Sequence, residues 1–462
     1  MKRFFLSLCL VPVLLPMFGL MLTERSQSDF SALEQTALAE LKETNTPGAA
    51  VVIVSGDRVV FAKGFGIANV ETGAPVTPDM LFRIGSMTKM FTAATLVSLA
   101  EEGKLKLDAP IGGYVKGLSA KFSPITAHQL LSHTAGVRDE ARPYGAHDES
   151  ALGGSVRTWK DDFLFTEPGE IFSYSNAGFA LAGLVIEETS GKPYADQITQ
   201  YVFKPLGMAR STFRPTVAMT YPLAQGHQAN ANSKPVIVRP FTDNVAGWPA
   251  GFMFSSAHDL ARFALAFVNH GKIEGQQVLS PAVIAKLSTP YTDVPGFEMK
   301  YAYGLRVTEY RGVRLVEHGG AIPGFGAEMK MSPEHRFAVI VLGNRSGARL
   351  EKTVEKAMEL MLPLKAKVED QPPVTLPISQ EEMTRYLGLY TNGQSIEIVL
   401  KEGQLCFQQR DFLFPLTKVG PHRFTFSPDP GEVEECAFVA DHSGKIQYLH
   451  RDGRAFKKTT GT

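Results

Sequence analysis

Three cysteines in 462 residues are too few for a disulfide framework, and no Cys-x-x-Cys or Cys/His ladder offers a zinc site. No charge of one sign prevails either. Lys plus Arg and Asp plus Glu number 47 each, with no long basic run, so the footprint of a DNA or RNA binder is missing and no nucleic-acid partner is expected. His227, His258 and His270 are scattered and no His-Glu-x-x-His occurs, which leaves no metal to expect. Gly64-Phe65-Gly66 lacks the third glycine of a dinucleotide fingerprint, so no cofactor is expected, and the absence of Gly-x-Ser-x-Gly argues against an α/β-hydrolase. Beyond the first residues no apolar run is long enough to cross a membrane; Phe337 to Leu342 reads as a short buried strand. What is present is 44 % hydrophobic and 20 % charged residues, enough for sizeable cores and against wholesale disorder. The length suggests two or three domains.

Lys2 and Arg3 precede an uncharged, mostly apolar stretch from Phe4 to Leu22, which Thr23, Glu24 and Arg25 end. That is the layout of a secretory signal. Pro12 and Pro16 weaken the alternative of a spanning anchor, but no Ala-x-Ala cleavage site follows. Export is therefore expected, to the periplasm or outside the cell. Residues 1–25 act either as a removed signal or as an attachment to the membrane through residues 4–22. Cys9 lies too near the start, and after Leu8, for a lipoprotein signal. An exported chain permits a Cys406–Cys436 disulfide, which the sequence does not decide.

Residues 30–364 interleave strand-like and helical segments. Ala49 to Val54 and Val59 to Ala62 flank Gly56-Asp57, a hairpin signal. Helices are expected after Ser86, Asn176 and Ser256, and from Leu350 to Leu362. Four prolines between Pro363 and Ser379 mark a linker, taken as 365–379. From 380 to 462, short runs such as Ile396 to Leu400 and Leu405 to Gln408 are punctuated by Asn392-Gly393, Glu402-Gly403 and Ser443-Gly444. That rhythm predicts a small antiparallel, barrel-like β domain.

Three short motifs carry chemistry-bearing groups. Ser86-Met87-Thr88-Lys89 opens a helical run from Met90 to Glu102 that stops at Gly103, with Lys89 one turn beyond Ser86 and on its face. A serine hydroxyl needs a base to take its proton, and a lysine serves only if burial or nearby cations lower its pKa. The helix start adds donors and positive dipole where an oxyanion develops. Tyr174-Ser175-Asn176 precedes the next helix; a phenol shuttles protons and an amide holds a carbonyl, although a packed tyrosine with Asn176 as helix cap is the plainer reading. Glu317-His318-Gly319-Gly320-Ala321 comes before a glycine-rich turn and the strand-like Glu328 to Met331, where glycines admit substrate backbone and leave an amide for an oxyanion. Singly each is weak: Tyr390-Thr391-Asn392 and His442-Ser443-Gly444 repeat two of the patterns.

In this order, however, the three motifs resemble those of the serine β-lactamase and penicillin-binding-protein superfamily, in its class C-like branch. The surrounding text resembles it more closely still. Leu130-Leu131-Ser132-His133-Thr134-Ala135-Gly136, Glu167-Pro168-Gly169-Glu170, Pro205-Leu206-Gly207-Met208, Pro249-Ala250-Gly251-Phe252 with Ser255 and Asp259, and Pro323-Gly324-Phe325 all look like family signatures. The resemblance spans roughly residues 30–360, and Tyr386-Leu387-Gly388-Leu389-Tyr390 looks like the lipocalin-type barrel appended to some members. It implies an α+β fold, with an antiparallel sheet flanked by helices, a mainly helical subdomain, and a small antiparallel β-barrel behind. It also implies acylation of Ser86, with Lys89 as base, Tyr174 as proton relay and Asn176 on the substrate's carbonyl. The amides of Ser86 and Ala321 would form the oxyanion hole.

His318 and Gly319 stand where class C β-lactamases carry lysine and threonine, which puts efficient lactamase action in doubt. Histidine there resembles D-aminopeptidases and D-Ala-D-Ala carboxypeptidases of this branch. His318 is accordingly counted with the catalytic set, and Gly319 and Gly320 with the substrate-binding set. Arg345 and Arg349 are candidates for a carboxylate contact, against the plainer reading of two solvated arginines near a helix start. His133 is expected to order its neighbours. No class A-type Glu-x-x-x-Asn deacylation loop is seen. Small molecules or short peptides are the expected substrates. A carboxylesterase, a β-lactamase, or a non-catalytic peptide-binding or scaffold protein are the alternatives.

Overall fold

The computed structural model describes residues 29–368, 374–428 and 432–459. The signal-like segment Phe4 to Leu22 and part of the linker lie outside them, and no described helix is long and apolar enough to cross a membrane.

The strands Gly48–Ser55 and Phe337–Gly343 are apolar throughout because both faces of the sheet they share are covered. They pair antiparallel as neighbours inside a sheet of nine strands. On one side lie Arg58–Asn69 and Ala74–Pro75; on the other follow Phe325–Ser332, Val313–Ile322, Arg306–Tyr310, Met299–Tyr301 and Thr292–Asp293. The two-residue period of the pleat sorts side chains into two cores. Ala49, Val51, Ile53, Val339 and Val341 pack with the helices Ser31–Glu43 and Glu351–Met361. Ala50, Val52, Val54, Ala338, Ile340 and Leu342 face the larger core, which includes the helices Thr88–Glu101, Asn176–Ser190 and Ala257–Val268. The expected hairpin at Gly56-Asp57 is present, as Gly48–Ser55 paired with Arg58–Asn69.

The helix Thr88–Glu101 is apolar on all sides and accordingly buried on all sides, every residue from Thr88 to Leu99 except Ser98 being inside. Any polar group on its first turn is held in the protein interior.

After the short helix Gln380–Tyr386, nine more antiparallel strands form a second sheet. Its two edge strands, Phe412–Pro415 and Thr417–Gly420, are separated in the chain by Leu416 alone, so the sheet must curl until its edges nearly meet. A core of Tyr386, Tyr390, Phe407, Phe424, Phe438 and Leu449, among others, fills this nearly closed barrel. Cys406 and Cys436 are free, buried thiols on different strands and form no disulfide.

The barrel packs directly on the domain built around the first sheet. Gly453 accepts from the Tyr174 amide at 2.8 Å, and the Ala455 amide donates to Ser173 Oγ at 3.1 Å. The Tyr448 hydroxyl meets Thr166 Oγ1 at 2.6 Å and donates to Glu170. His450 lies fully buried at the same junction, 6.1 Å from the Phe172 ring and 6.2 Å from Phe297. Burial pushes its pKa down to about 3. The unfolded chain takes up that proton near the ordinary value of about 6.5, the folded chain only near 3. Stability is therefore complete above pH 6.5 and is lost as the pH falls towards 3. Thermal melting between pH 7 and pH 4 should show this decline, and His450→Phe should make it shallower; an unchanged slope would refute the assignment. His133 and His318, also buried and neutral, act in the same direction, so the variant removes only part of the slope.

Candidate active site

Ser86 occupies a single 3-10 turn, Gly85–Met87, between the short strand Phe82–Arg83 and the helix Thr88–Glu101. Gly85 enters it at φ +53°, and a Cβ there would stand 2.5 Å from the Ala321 amide nitrogen. A Cβ on Gly320 would stand 1.9 Å from the Ile84 carbonyl oxygen and 3.2 Å from the Ser86 nitrogen. The strand Val313–Ile322 thus approaches the serine turn more closely than any side chain allows.

Lys89 is wholly buried, and its Nζ lies 2.7 Å from Asn176 Oδ1, 2.7 Å from the Ala250 carbonyl oxygen and 3.4 Å from Ser86 Oγ. Burial holds its pKa well below the lysine range; Asp139 opposes this, and Arg454 and Arg306 reinforce it. A neutral amine has two N–H groups and one lone pair. With both hydrogens directed at Asn176 and Ala250, the lone pair is left for the serine hydroxyl. The amine also sits 4.6 Å from the centre of the Tyr174 ring. Burial pushes the Tyr174 phenol up to about 12, a hydrogen bond with Ser86 pulling the other way.

Asn176 does not cap its helix. Ser175 does so, its Oγ accepting from the Gly178 amide at 2.9 Å, which leaves the Asn176 side chain at the site. Its Nδ2 donates to Asp139 Oδ1 at 3.0 Å, and its backbone amide donates to the same oxygen at 2.7 Å. The carboxylate therefore fixes which end of the amide faces Lys89. Asp139 is in turn bound by Arg454 of the barrel, with Nε–Oδ2 2.7 Å and Nη2–Oδ2 2.6 Å.

His318 is buried, with Nδ1 donating to the Gly319 carbonyl at 2.5 Å and Nε2 accepting from the Tyr301 hydroxyl at 3.1 Å. Burial first, then Arg306 and Lys89, hold it well below the usual histidine pKa. Its ring stands 6.3 Å from that of Tyr174 and is not among the groups lining the cavity at Ser86. His133, at φ +57°, accepts from the Ser175 amide at 3.0 Å through Nδ1, its ring 4.3 Å from that of Tyr174. Arg349 is partly exposed beside Glu328, Nε–Oε2 3.9 Å. A Cβ at Gly319 would press on both, 2.6 Å from Glu328 Oε2 and 3.0 Å from Arg349 Cζ.

A cavity of about 560 Å³ opens at Ser86. Asn176 and Ala321 stand beside the serine, Trp159, Phe163, Phe252 and Ile322 supply apolar walls, and Glu140, Arg142, Lys160 and Asp162 add charge. Sequence reasoning thus assembles Ser86, Lys89, Tyr174 and Asn176 in one cluster with Gly320 and Ala321 against it. It misses Asp139, the Ala250 carbonyl, Tyr301 and Arg454. Asp139 follows a signature-like segment and Ala250 lies within another, so both had a signal; Arg454 had none.

A family model described as Beta-lactamase matches residues 30–360. The chain belongs to the Beta-lactamase family. Among curated relatives, Protein flp of Staphylococcus aureus (strain MW2) is 28 % identical over 328 residues, covering 68 % of this chain and 63 % of that protein. Unguisins hydrolase ungD' of Aspergillus campestris (strain IBT 28561) is 29 % identical over 343 residues, 69 % of this chain and 63 % of its own. The chain thus spans under two thirds of the length of these curated relatives. Solved structures in the same family-like fold include an octameric penicillin-binding protein homologue from Pyrococcus abyssi, 26 % identical with TM-score 0.66, covering 93 % of this chain and 100 % of that one. SurE, at 24 % identity and TM-score 0.77, covers 93 % and 98 %, so its likeness includes the barrel as well as the Beta-lactamase domain.

Proposed function

We propose that the chain is an exported serine hydrolase that cleaves amide bonds of short peptides through an acyl-enzyme on Ser86. The observation that carries the reading is the Lys89 amine, wholly buried, held by Asn176 Oδ1 and the Ala250 carbonyl oxygen and standing 3.4 Å from Ser86 Oγ. In this mechanism Lys89 takes the serine proton as Oγ attacks the carbonyl carbon, and the amides of Ser86 and Ala321 stabilise the oxyanion. Tyr174 passes the proton to the departing amine, and water then frees the acyl group. Asn176 holds the substrate's amide carbonyl. His318, on the same strand that carries Ala321, acts as a positioning residue tied between Gly319 and Tyr301. D-aminopeptidase or D-Ala-D-Ala carboxypeptidase action is the first choice, supported by His318-Gly319-Gly320 and by the signal-like start. A curated relative bears the name hydrolase, which agrees with the reaction class and leaves the bond open.

The apolar walls of the cavity favour a second reading, a carboxylesterase of the same mechanism. A rate panel of p-nitrophenyl esters against D-aminoacyl and D-Ala-D-Ala peptides separates the two. Peptide turnover is expected; ester turnover with every peptide inert would overturn the peptidase reading.

A further inference from the structure

The acid–amide–amine line at the site does not end in the Beta-lactamase domain. Arg454 opens the last barrel strand, Arg454–Lys458, next to Gly453, whose carbonyl is bonded to the Tyr174 amide. Its guanidinium stands 5.2 Å from the centre of the Tyr174 ring and grips Asp139 Oδ2 through two nitrogens. The other oxygen of that carboxylate receives both Asn176 N–H groups, and Asn176 Oδ1 receives the Lys89 amine. Each oxygen of Asp139 is thus committed, one to the barrel and one to the site.

We propose that the barrel completes the site: Arg454 is a positioning residue that neutralises and orients Asp139, so that Asn176 presents its oxygen to Lys89 and the amine is kept as a base. The inference rests on the reading of Lys89 as base. Two physical effects act together. Without the arginine, the Asp139 carboxylate is free to turn, and the amide loses the anchor that distinguishes its oxygen from its nitrogen. The same carboxylate then stands near Lys89 with no partner cation and favours the ammonium form. The other groups around the amine do not replace it. Arg306 from the strand Arg306–Tyr310 is a cation, whereas His318 from Val313–Ile322, His133 and Tyr174 are held neutral, and Ser86, Asn176 and Ala250 are uncharged. Asp139 is the anion whose charge acts on the amine, and Arg454 is its ion-pair partner.

The test titrates the full-length protein labelled with ε-13C-lysine, the Lys89 resonance being assigned with Lys89→Met. Arg454→Met should raise the Lys89 midpoint by about one pH unit or more. Arg454→Lys should restore most of it, and Asp139→Asn with Arg454 intact should lower it. The acid limb of Ser86 acylation by p-nitrophenyl acetate should move with each midpoint. Should Arg454→Met fail to fold, the opposite shift in Asp139→Asn still decides the matter. A midpoint unmoved in Asp139→Asn, or activity lost in Arg454→Met with the midpoint unmoved, overturns the proposal. Absent peptide turnover would refute the peptidase reading while the lysine midpoint still judges this one.

Discussion

Lys89→Met should lower the turnover of an activated ester by about 10²- to 10⁴-fold, the range lost when a positioned general base is removed. Methionine keeps most of the stem's volume in a fully buried position and contributes no proton acceptor. Two acceptors, Asn176 Oδ1 and the Ala250 carbonyl, lose their donor, which costs about 1–3 kcal/mol each if no water enters. Removing an amine that burial already disfavours offsets part of that cost. The melting temperature should therefore move by less than about 10 °C while activity collapses. A variant retaining a tenth of wild-type turnover with an unchanged pH profile would show that the base lies elsewhere.

Gly320→Ala should be nearly as damaging, by about 10²- to 10³-fold in kcat, the usual loss when an oxyanion donor is displaced. The added methyl group would stand 1.9 Å from the Ile84 carbonyl oxygen, so the strand Val313–Ile322 and the serine turn must separate. That movement pulls the amides of Ser86 and Ala321 apart, and the loss should appear in kcat more than in KM. Backbone, not a flexible side chain, receives the clash, so relaxation is costly. A kinetic assay on the folded variant checks this; wild-type kcat would mean that the two amides do not share an oxyanion.

The elements that position this site were legible wherever their periodicity was strong. The run Ala49 to Val54 announced one arm of a hairpin and Phe337 to Leu342 a buried strand, and both occur, longer by at most one residue at each end. Helices after Ser86, Asn176 and Ser256 were visible from their apolar runs, and they are present as Thr88–Glu101, Asn176–Ser190 and Ala257–Val268. The alternating short runs beyond residue 380 announced an antiparallel β unit, and the single residue between its two edge strands shows how nearly it closes. Proximity across the chain was not legible. Asp139 and Arg454 are 315 residues apart, and neither charge carries a local pattern that declares its partner. The orientation of His318 was likewise hidden. A histidine before two glycines reads as a group offered to substrate, whereas the fold turns it towards Tyr301. The Asn176 reading as a helix cap failed for a local reason, since Ser175, one residue earlier, does that work.

The most direct measurement is the intact mass of the protein, wild type and Ser86→Ala, quenched in acid after brief exposure to p-nitrophenyl acetate and to benzylpenicillin. The account predicts an acyl adduct on the wild type with the ester, mapped to Ser86 by peptide analysis and absent from Ser86→Ala. An adduct that maps to another residue, or Ser86→Ala turning over the ester at the wild-type rate, would contradict it.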